Sequence, residues 1–274
     1  VHPNSVERLR NTLTESSVLA VIPARFHSTR LPGKILADIA GHPMIEHVYR
    51  RTTGASLVHA ALVATDDERI AQAVEAFGGA AIMTRPDHVS GTDRIAEVVG
   101  QLPCRLVVNV QGDEPLIDPG TIDAAVAPML EDAALEMSTL CRPLAEHELD
   151  TRSVVKVVTA LTGRALYFSR APMAGSAAHV GLYVYRRDIL LKLAALPPAP
   201  LELAESLEQL RVLSNGIGIQ VVPTGHASAG VDTPEDLERV RQLLARLRSP
   251  GESASYGGVP PKLPAPPRSE GGHP

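Results

Sequence analysis

Val18-Leu19-Ala20-Val21-Ile22-Pro23-Ala24-Arg25-Phe26-His27-Ser28-Thr29-Arg30-Leu31-Pro32-Gly33-Lys34 is the stretch that decides the fold. Its first five residues form an unbroken apolar run, the pattern of a strand buried on both faces of a parallel sheet. A helical pattern starts near Pro43, so the polar stretch between is a loop at the carboxyl end of a strand. Open α/β sheets bind their ligands there. Within ten positions the loop gathers Arg25, Arg30 and Lys34, the hydroxyls of Ser28 and Thr29, and a Pro32-Gly33 turn that lets backbone approach a ligand closely. Such a set suits an anion with several phosphates, with a solvated basic loop as the alternative. It is not a Walker A loop, because Ser28 stands where the first glycine belongs and Ile35 follows the lysine.

Outward from this loop the chain alternates. Met44, Ile45, Val48 and Tyr49 sit at helical spacing behind Pro43, read as the first helical residue. Ala60–Ala64 reads as a strand ending in Thr65-Asp66-Asp67, and Ile70, Ala73, Val74 and Phe77 as a helix closed by Gly78-Gly79. Residues 80–83 form a third strand, followed by the turn-rich loop 85–92 and a helix through Ile95 and Val98 with Thr92 as its cap. Leu106–Val110 is a fourth strand, and Gln111–Pro115 again lies at a strand's carboxyl end. This alternation implies a mostly parallel sheet covered on both faces. From Leu135 the pieces become hairpin-like: 137–140, 154–158, 165–169 and 180–185, an antiparallel extension of the sheet. Leu203, Leu207, Leu210 and Leu213 then place one helix, residues 217–222 a strand, and Leu237, Val240, Leu244 and Leu247 a last helix announced by Thr233-Pro234-Glu235-Asp236. Residues 1–17 are a polar lead-in, and 249–274 a Pro/Gly-rich tail expected to be disordered.

With 274 residues the chain fits one α/β domain, its core built from Ala, Val, Leu and Ile because aromatics are 3% and Trp is absent. A net charge of −5 argues against a polyanion binder, so the basic loop is local and nucleic acid is not an expected partner. Cys104 and Cys141 are too few for a disulfide framework or a zinc site and read as small buried hydrophobes. Neither a signal-peptide apolar region nor a run of about 18 apolar residues is present, so a cytoplasmic protein without a membrane partner is the expectation.

Transfer of a nucleotide from a triphosphate needs cations for the departing pyrophosphate, a divalent ion to orient phosphates, and an in-line acceptor oxygen. Arg25 and Lys34 suit the first task, with Arg30 as helper. Asp113, beside Gly112, and Asp232, just outside a helix N-cap, are carboxylates of the kind that hold Mg²⁺, against the alternatives of a turn aspartate and a helix cap.

These residues stand in blocks that resemble the CMP-sugar synthetases, above all the 3-deoxy-manno-octulosonate (KDO) cytidylyltransferases. The blocks are 21–34, Ala64-Thr65-Asp66, Thr84–Arg94, Asn109–Pro115, Ala165–Arg170, Leu207–Arg211 and Gly230–Asp236, in family order across about 18–248. The resemblance implies a Rossmann-like three-layer α/β/α nucleotidyltransferase fold, mostly parallel with an antiparallel extension. It implies a nucleotide half at about 18–134 and an acceptor and dimer half at about 135–248. It also implies CTP as donor, Mg²⁺ held by Asp113 and Asp232, a small acidic acceptor and a homodimer. Ala24, Arg25, Ser28, Lys34, Arg85, Ser90, Gly91 and Gln111 then fall on nucleotide-binding positions, with backbone around Ala24, Ser90 and Gly91 reading the cytosine. Arg30, Arg170, His179, Tyr183, Glu205 and Gln209 fall on acceptor positions. Glu205, Glu208 and Gln209 are expected on one helix side, Glu208 as solvated face; His42, His47 and His59 are expected at the surface. The sequence departs from that family between Arg170 and His179, where only residues 171–178, small apart from Met173, stand in place of a much longer segment contributing to the sugar site. That leaves the acceptor open between KDO, another ulosonic acid, and a smaller acid such as the phosphonoformate used by relatives in phosphonate pathways. A nucleotide-sugar glycosyltransferase would need Asp-x-Asp where Gln111-Gly112-Asp113-Glu114 stands; a non-catalytic nucleotide-binding module would not need Lys34, Asp113 and Asp232 together.

Overall fold

The structure, a computed structural model, describes residues 4–28, 30–225 and 230–247. Thr29, the Leu247 side chain and the expected tail lie outside the described residues. Strands β1 (Val18–Ala24), β2 (Asp38–Ile39), β3 (His42–Pro43), β4 (Ala60–Thr65), β5 (Ala81–Met83), β6 (Leu106–Asn109), β7 (Met137–Arg142), β8 (Lys156–Thr159), β9 (Ala165–Ser169), β10 (Ala177–Arg186) and β11 (Ile219–Pro223) carry the sheets. The helices are α1 (Asn4–Thr12), α2 (Met44–Thr53), α3 (Glu68–Ala76), α4 (Gly91–Val99), α5 (Pro119–Glu131), α6 (Arg187–Ala194), α7 (Pro200–Glu205), α8 (Gln209–Ser214) and α9 (Pro234–Leu247).

The main sheet runs β11-β7-β10-β6-β1-β4-β5, with β8 beside β10 and β9 beside β8. β1 is parallel to both β4 and β6, and β4 to β5. β1 is followed in space by β4 on one side and later by β6 on the other, so its carboxyl end is the topological switch point of the sheet. The antiparallel extension is present as expected: β10 pairs antiparallel with β6 and β7, β8 with β10, and β9 with β8.

The apolar run of β1 serves both faces. Val18, Ala20, Ile22 and Ala24 pack with Ile45 and Val48 of α2, Ile70 and Val74 of α3 and Ile122 and Val126 of α5. Leu19 and Val21 pack with Ile95 and Val98 of α4, Ile189 and Leu190 of α6 and Leu210 of α8. Period-2 side-chain alternation in a strand with no polar residue therefore produces the three-layer α/β/α arrangement. A third cluster, Ile39, Met44, Val231, Leu237, Val240 and Leu244, fastens α9 onto β2 and the start of α2. Cys104 and Cys141 are free and buried, as expected, and burial pushes the Cys104 thiol up to about 11.

Several local expectations need correction. Pro43 is the N-cap of α2 and not its first helical residue. The cap of α4 is Ser90, not Thr92: the Ser90 hydroxyl accepts from Asp93 N while an Asp93 carboxylate oxygen accepts from Ser90 N. The expected helix from Leu203 to Leu213 is two short ones, α7 and α8, broken at Ser206, whose φ of 55° is left-handed. His47 is buried, its Nε2 hydrogen-bonded to the Ile39 carbonyl.

Candidate active site

The carboxyl ends of β1 and β6 carry two loops that meet at the switch point, and the segment before α9 joins them there. Gly33 starts a 3₁₀ turn with φ 72°, a left-handed conformation that costs a residue without a Cβ little, and Lys34 follows it into the protein. Gly112 brings the loop after β6 against the end of β1: a Cβ there would lie 3.0 Å from the Pro23 carbonyl oxygen. Asp232 arrives from the far end of the chain, because Val231 is fully buried in the third cluster and its N–H donates to the Asp113 carbonyl at 2.8 Å. Thr233 caps α9 through its hydroxyl, which leaves Asp232 free of that duty.

These loops converge on Lys34. Its Nζ donates to Asp113 Oδ2 at 2.6 Å, to Asp232 Oδ1 at 3.0 Å and to the Val231 carbonyl at 2.8 Å. Asp113 and Asp232, 119 positions apart in sequence, thus aim carboxylate oxygens at one point. Lys34 is 9% exposed, and although burial by itself would lower its pKa, the facing Asp113 and Asp232 carboxylates raise it, so the ammonium is charged at neutral pH. Arg30, exposed, reaches Asp232 Oδ1 at 3.0 Å. It therefore stands at the aspartate end and not among the residues lining the cleft. Arg25 Nη2 donates to the His88 carbonyl at 2.8 Å and ties the basic loop to the loop before α4.

From this point a cleft of about 740 Å³ runs along β10 toward α8. Pro23, Gly91, Gln111 and Asp232 line its near end. His179, Tyr183, Gln209 and Arg170 line its far end, with Asn109, Glu114, Arg142, Tyr185, Leu207 and Glu208 between and around them. Gly91 sits close enough to β1 that a Cβ would contact Pro23 at 3.4 Å. Gln111 Nε2 donates to Asn109 Oδ1. Ala24 is buried beneath the near end and Ser28 is half-buried in the loop above it. The Ser90 hydroxyl is committed to its cap. Arg85 does not reach this cleft: it is exposed, near Asp87 and Glu97, on the rim of a separate depression against α6.

On the acceptor side the expected residues divide. His179 Nε2 lies 2.9 Å from Thr139 Oγ1, and burial pushes its pKa down to about 3, so the ring is neutral. Its ring stacks at a tilt on Tyr183, whose hydroxyl donates to Gln209 Oε1 at 3.4 Å and whose pKa burial raises. Gln209 is buried, and its Nε2 has no hydrogen-bond partner among the described residues. The Arg170 guanidinium donates to the carbonyls of Glu205 and Arg152, which orients it at the cleft wall. Glu205 is not a lining residue: it accepts from Ser169 Oγ at 2.7 Å and from Arg170 N at 3.0 Å, holding the end of β9 in place. Nor does it share a helix side with Gln209, because Ser206 breaks the helix between them. Glu208, expected as solvated face, is exposed at the cleft rim and accepts from the Thr92 hydroxyl at 2.6 Å.

Tyr185 was legible as a neighbour of Tyr183 two positions on along a strand, on the same face. Glu114 lay inside a block already noted. Arg142, clamped by both oxygens of Glu148, whose carboxyl it holds down to about 2, has no motif to announce it.

A basic loop at the switch point, two carboxylates converging on its lysine, and a cleft running on from them along β10 make an arrangement for moving a nucleotidyl group between two bound partners. Fold and cleft together define the class as a nucleotidyltransferase.

Comparison with known proteins narrows this. A family model described as cytidylyltransferase matches residues 19–219. A 3-deoxy-manno-octulosonate cytidylyltransferase of Geobacter sulfurreducens is 54% identical over 248 residues, covering 83% of this chain and 99% of that protein. The solved structure of a CMP:2-keto-3-deoxy-manno-octonic acid synthetase complexed with CTP matches with a TM-score of 0.82 at 47% identity, over 85% of this chain and 100% of the other. A 4-diphosphocytidyl-2C-methyl-D-erythritol synthase from Anaerococcus prevotii shares the fold alone, with a TM-score of 0.59 at 11% identity over 85% and 100% of the two chains. The chain belongs to the cytidylyltransferase family and is an enzyme of cytidylyl transfer from CTP.

Proposed function

We propose that the acceptor is KDO or a closely similar ulosonic acid, and that the enzyme converts CTP and that acid into a CMP-conjugate and diphosphate with Mg²⁺ bound by Asp113 and Asp232. The observation that carries this reading is the meeting of those two carboxylates at Lys34, where the phosphate loop joins the near end of the cleft. The donor set fits the ion: Mg²⁺ takes one or two carboxylates and completes its shell with phosphate oxygens and water. Bound there, it supplies charge neutralisation and orientation of the triphosphate.

The protein's own groups do the rest. Arg25 and Lys34 flank the site of the phosphates and neutralise the charge that grows on diphosphate as it leaves. Pro23, Gly91 and the Gln111 amide form the end against which the nucleoside rests. Arg170 and the Gln209 amide supply N–H donors to an acceptor carboxylate and hydroxyls, while neutral His179 adds no charge. An acceptor hydroxyl oxygen bonds to the α-phosphorus as the bond to diphosphate breaks, and its proton is lost to solvent. Likeness to the KDO enzymes supports KDO as acceptor. One feature pulls the other way. The match to the Geobacter protein spans 248 positions but 83% of 274 residues, about 227, so about 20 positions of that relative have no residue here. The short segment 171–178 between Arg170 and His179 is the place the sequence offers for that difference. A homodimer is part of this reading.

The test offers CTP with KDO, other ulosonic acids and phosphonoformate, following diphosphate release and identifying the CMP-conjugate by mass. KDO is expected as the preferred acceptor. Asp113→Ala is expected to lower kcat by about 10²-fold or more. A product formed with phosphonoformate and none with KDO would replace this acceptor with a small one.

A further inference from the structure

We propose that Lys34 keeps the Asp113–Asp232 pair closed to divalent cations until a triphosphate draws its ammonium away, so that metal enters with CTP and not before it. This rests on reading the two aspartates as metal ligands.

The ammonium has three N–H donors, and all three are used: Asp113, Asp232 and the Val231 carbonyl, at 2.6, 3.0 and 2.8 Å. It is thus a satisfied, largely buried cation standing where the two carboxylates converge. A metal bound by both oxygens needs that same position, at the shorter distance of about 2.0–2.1 Å for Mg²⁺, so ammonium and metal exclude each other. Charge points the same way. Arg30 also pairs with Asp232, so two carboxylates already face two cations. A dication arriving alone has to displace Lys34 and leave a buried charge without a partner. No group of three or more His, Cys, Asp or Glu side chains able to hold a metal exists among the described residues, so an ion binding without nucleotide would gain no more than these two carboxylates as charged ligands here. A triphosphate changes both terms: its oxygens give Lys34 and Arg30 new anionic partners, and they complete the shell of the ion.

The experiment measures Mn²⁺ binding by the electron paramagnetic resonance signal of the free ion, with nucleotide-free enzyme and no acceptor. It compares wild type, Lys34→Gln and Lys34→Arg, and follows the melting temperature of each with and without MgCl₂. Nucleotide-free Lys34→Gln is expected to bind Mn²⁺ about tenfold or more tightly than wild type, and MgCl₂ to raise its melting temperature. Lys34→Arg, which keeps the charge, is expected to stay as closed as wild type, and MgCl₂ to leave the wild-type melting temperature unmoved. Equal Mn²⁺ affinity in wild type and Lys34→Gln, with both taking up the ion in the presence of CTP, overturns the proposal and leaves the aspartates as ligands. Absence of uptake with CTP in every variant overturns the ligand reading itself, and the proposal with it. Should Lys34→Gln not fold without metal, wild type alone decides: a saturable Mn²⁺ site and a MgCl₂-dependent rise in melting temperature without CTP overturn the proposal, and their absence without CTP with uptake in its presence supports it.

Discussion

Gln209 lines the cleft, and its buried Nε2 has nothing in the described protein to receive its N–H; such groups are rare because leaving one buried and unmade costs about 1–3 kcal/mol. An acceptor oxygen is the natural partner. Gln209→Ala is therefore expected to raise the acceptor KM by about two- to tenfold while the KM for CTP stays unchanged, since one neutral hydrogen bond contributes about 0.5–1.5 kcal/mol; steady-state kinetics with each substrate varied in turn checks it. His179 makes a second prediction, in pH. Its pKa falls from 6.5 to about 3 on burial, so the unfolded chain binds a proton that the folded one refuses. The associated stability is complete above 6.5 and is lost as pH falls toward 3, amounting to at most about 2 kcal/mol between pH 7 and 5. Urea midpoints at those two pH values are expected to drop further for the wild type than for His179→Asn. At this scale the sequence was most legible where a residue type and its chemistry coincide: Lys34, Asp113 and Asp232 are brought together in space. Arg85 and Glu205 were not, because a motif position carries no information on which way a side chain turns, and both are held elsewhere by neighbours within 40 residues.

Among the elements, α9 has a function its amphipathic pattern does not declare. Leu237, Val240 and Leu244 do more than bury a stripe: with Val231 they clamp the helix to Ile39 and Met44, and the clamp delivers Asp232 to the site. Met44 is fully buried in that contact. Met44→Ala is expected to cost about 2–5 kcal/mol of stability. It is also expected to raise the Mg²⁺ concentration needed for half-maximal activity, because the loosened helix holds one of the two carboxylates. Urea denaturation and a Mg²⁺ titration of diphosphate release read the two effects separately. The long strands and α2, α3, α4 and α9 were legible because each has a clean period, although the starts of α2 and α4 were misplaced and the two-residue strands β2 and β3 gave no signal. Helix α5 was not: Pro119-Gly120 at its start and Pro128 within it look like breakers, yet Asp118 caps the first turn and Pro128 falls in the last. The split between α7 and α8 hid for the opposite reason. Four leucines keep helical spacing across a left-handed Ser206, and Leu203 proves to be exposed.

For the whole molecule, the consequential strand is β10. It pairs through Tyr183–Arg186 with β6, from before residue 134, and through Ala178–Tyr185 with β7, from after it, and β8 adds to its outer stretch. Leu182 and Val184 belong to the same core as Val18, Ala20 and Ile22 of β1, while Tyr185 belongs to the core on the opposite face with Leu19 and Val21. A boundary near residue 134 is thus not a boundary of folding. A fragment holding residues 18–134 would lose the β10 edge of β6, leaving a strand buried on both faces with unpaired backbone groups, and would strip apolar cover from both cores. Such a fragment is expected to aggregate or remain unfolded. The intact chain is expected to unfold in urea with far-ultraviolet dichroism coinciding with tyrosine fluorescence, which includes Tyr49 before residue 134 and Tyr167, Tyr183 and Tyr185 after it. Two separated transitions would mean that the sheet does not couple its halves. In that case the near and far ends of the cleft would not be held in fixed relation, and in-line placement of an acceptor oxygen on the α-phosphorus, which depends on that relation, would have to come from the substrates themselves.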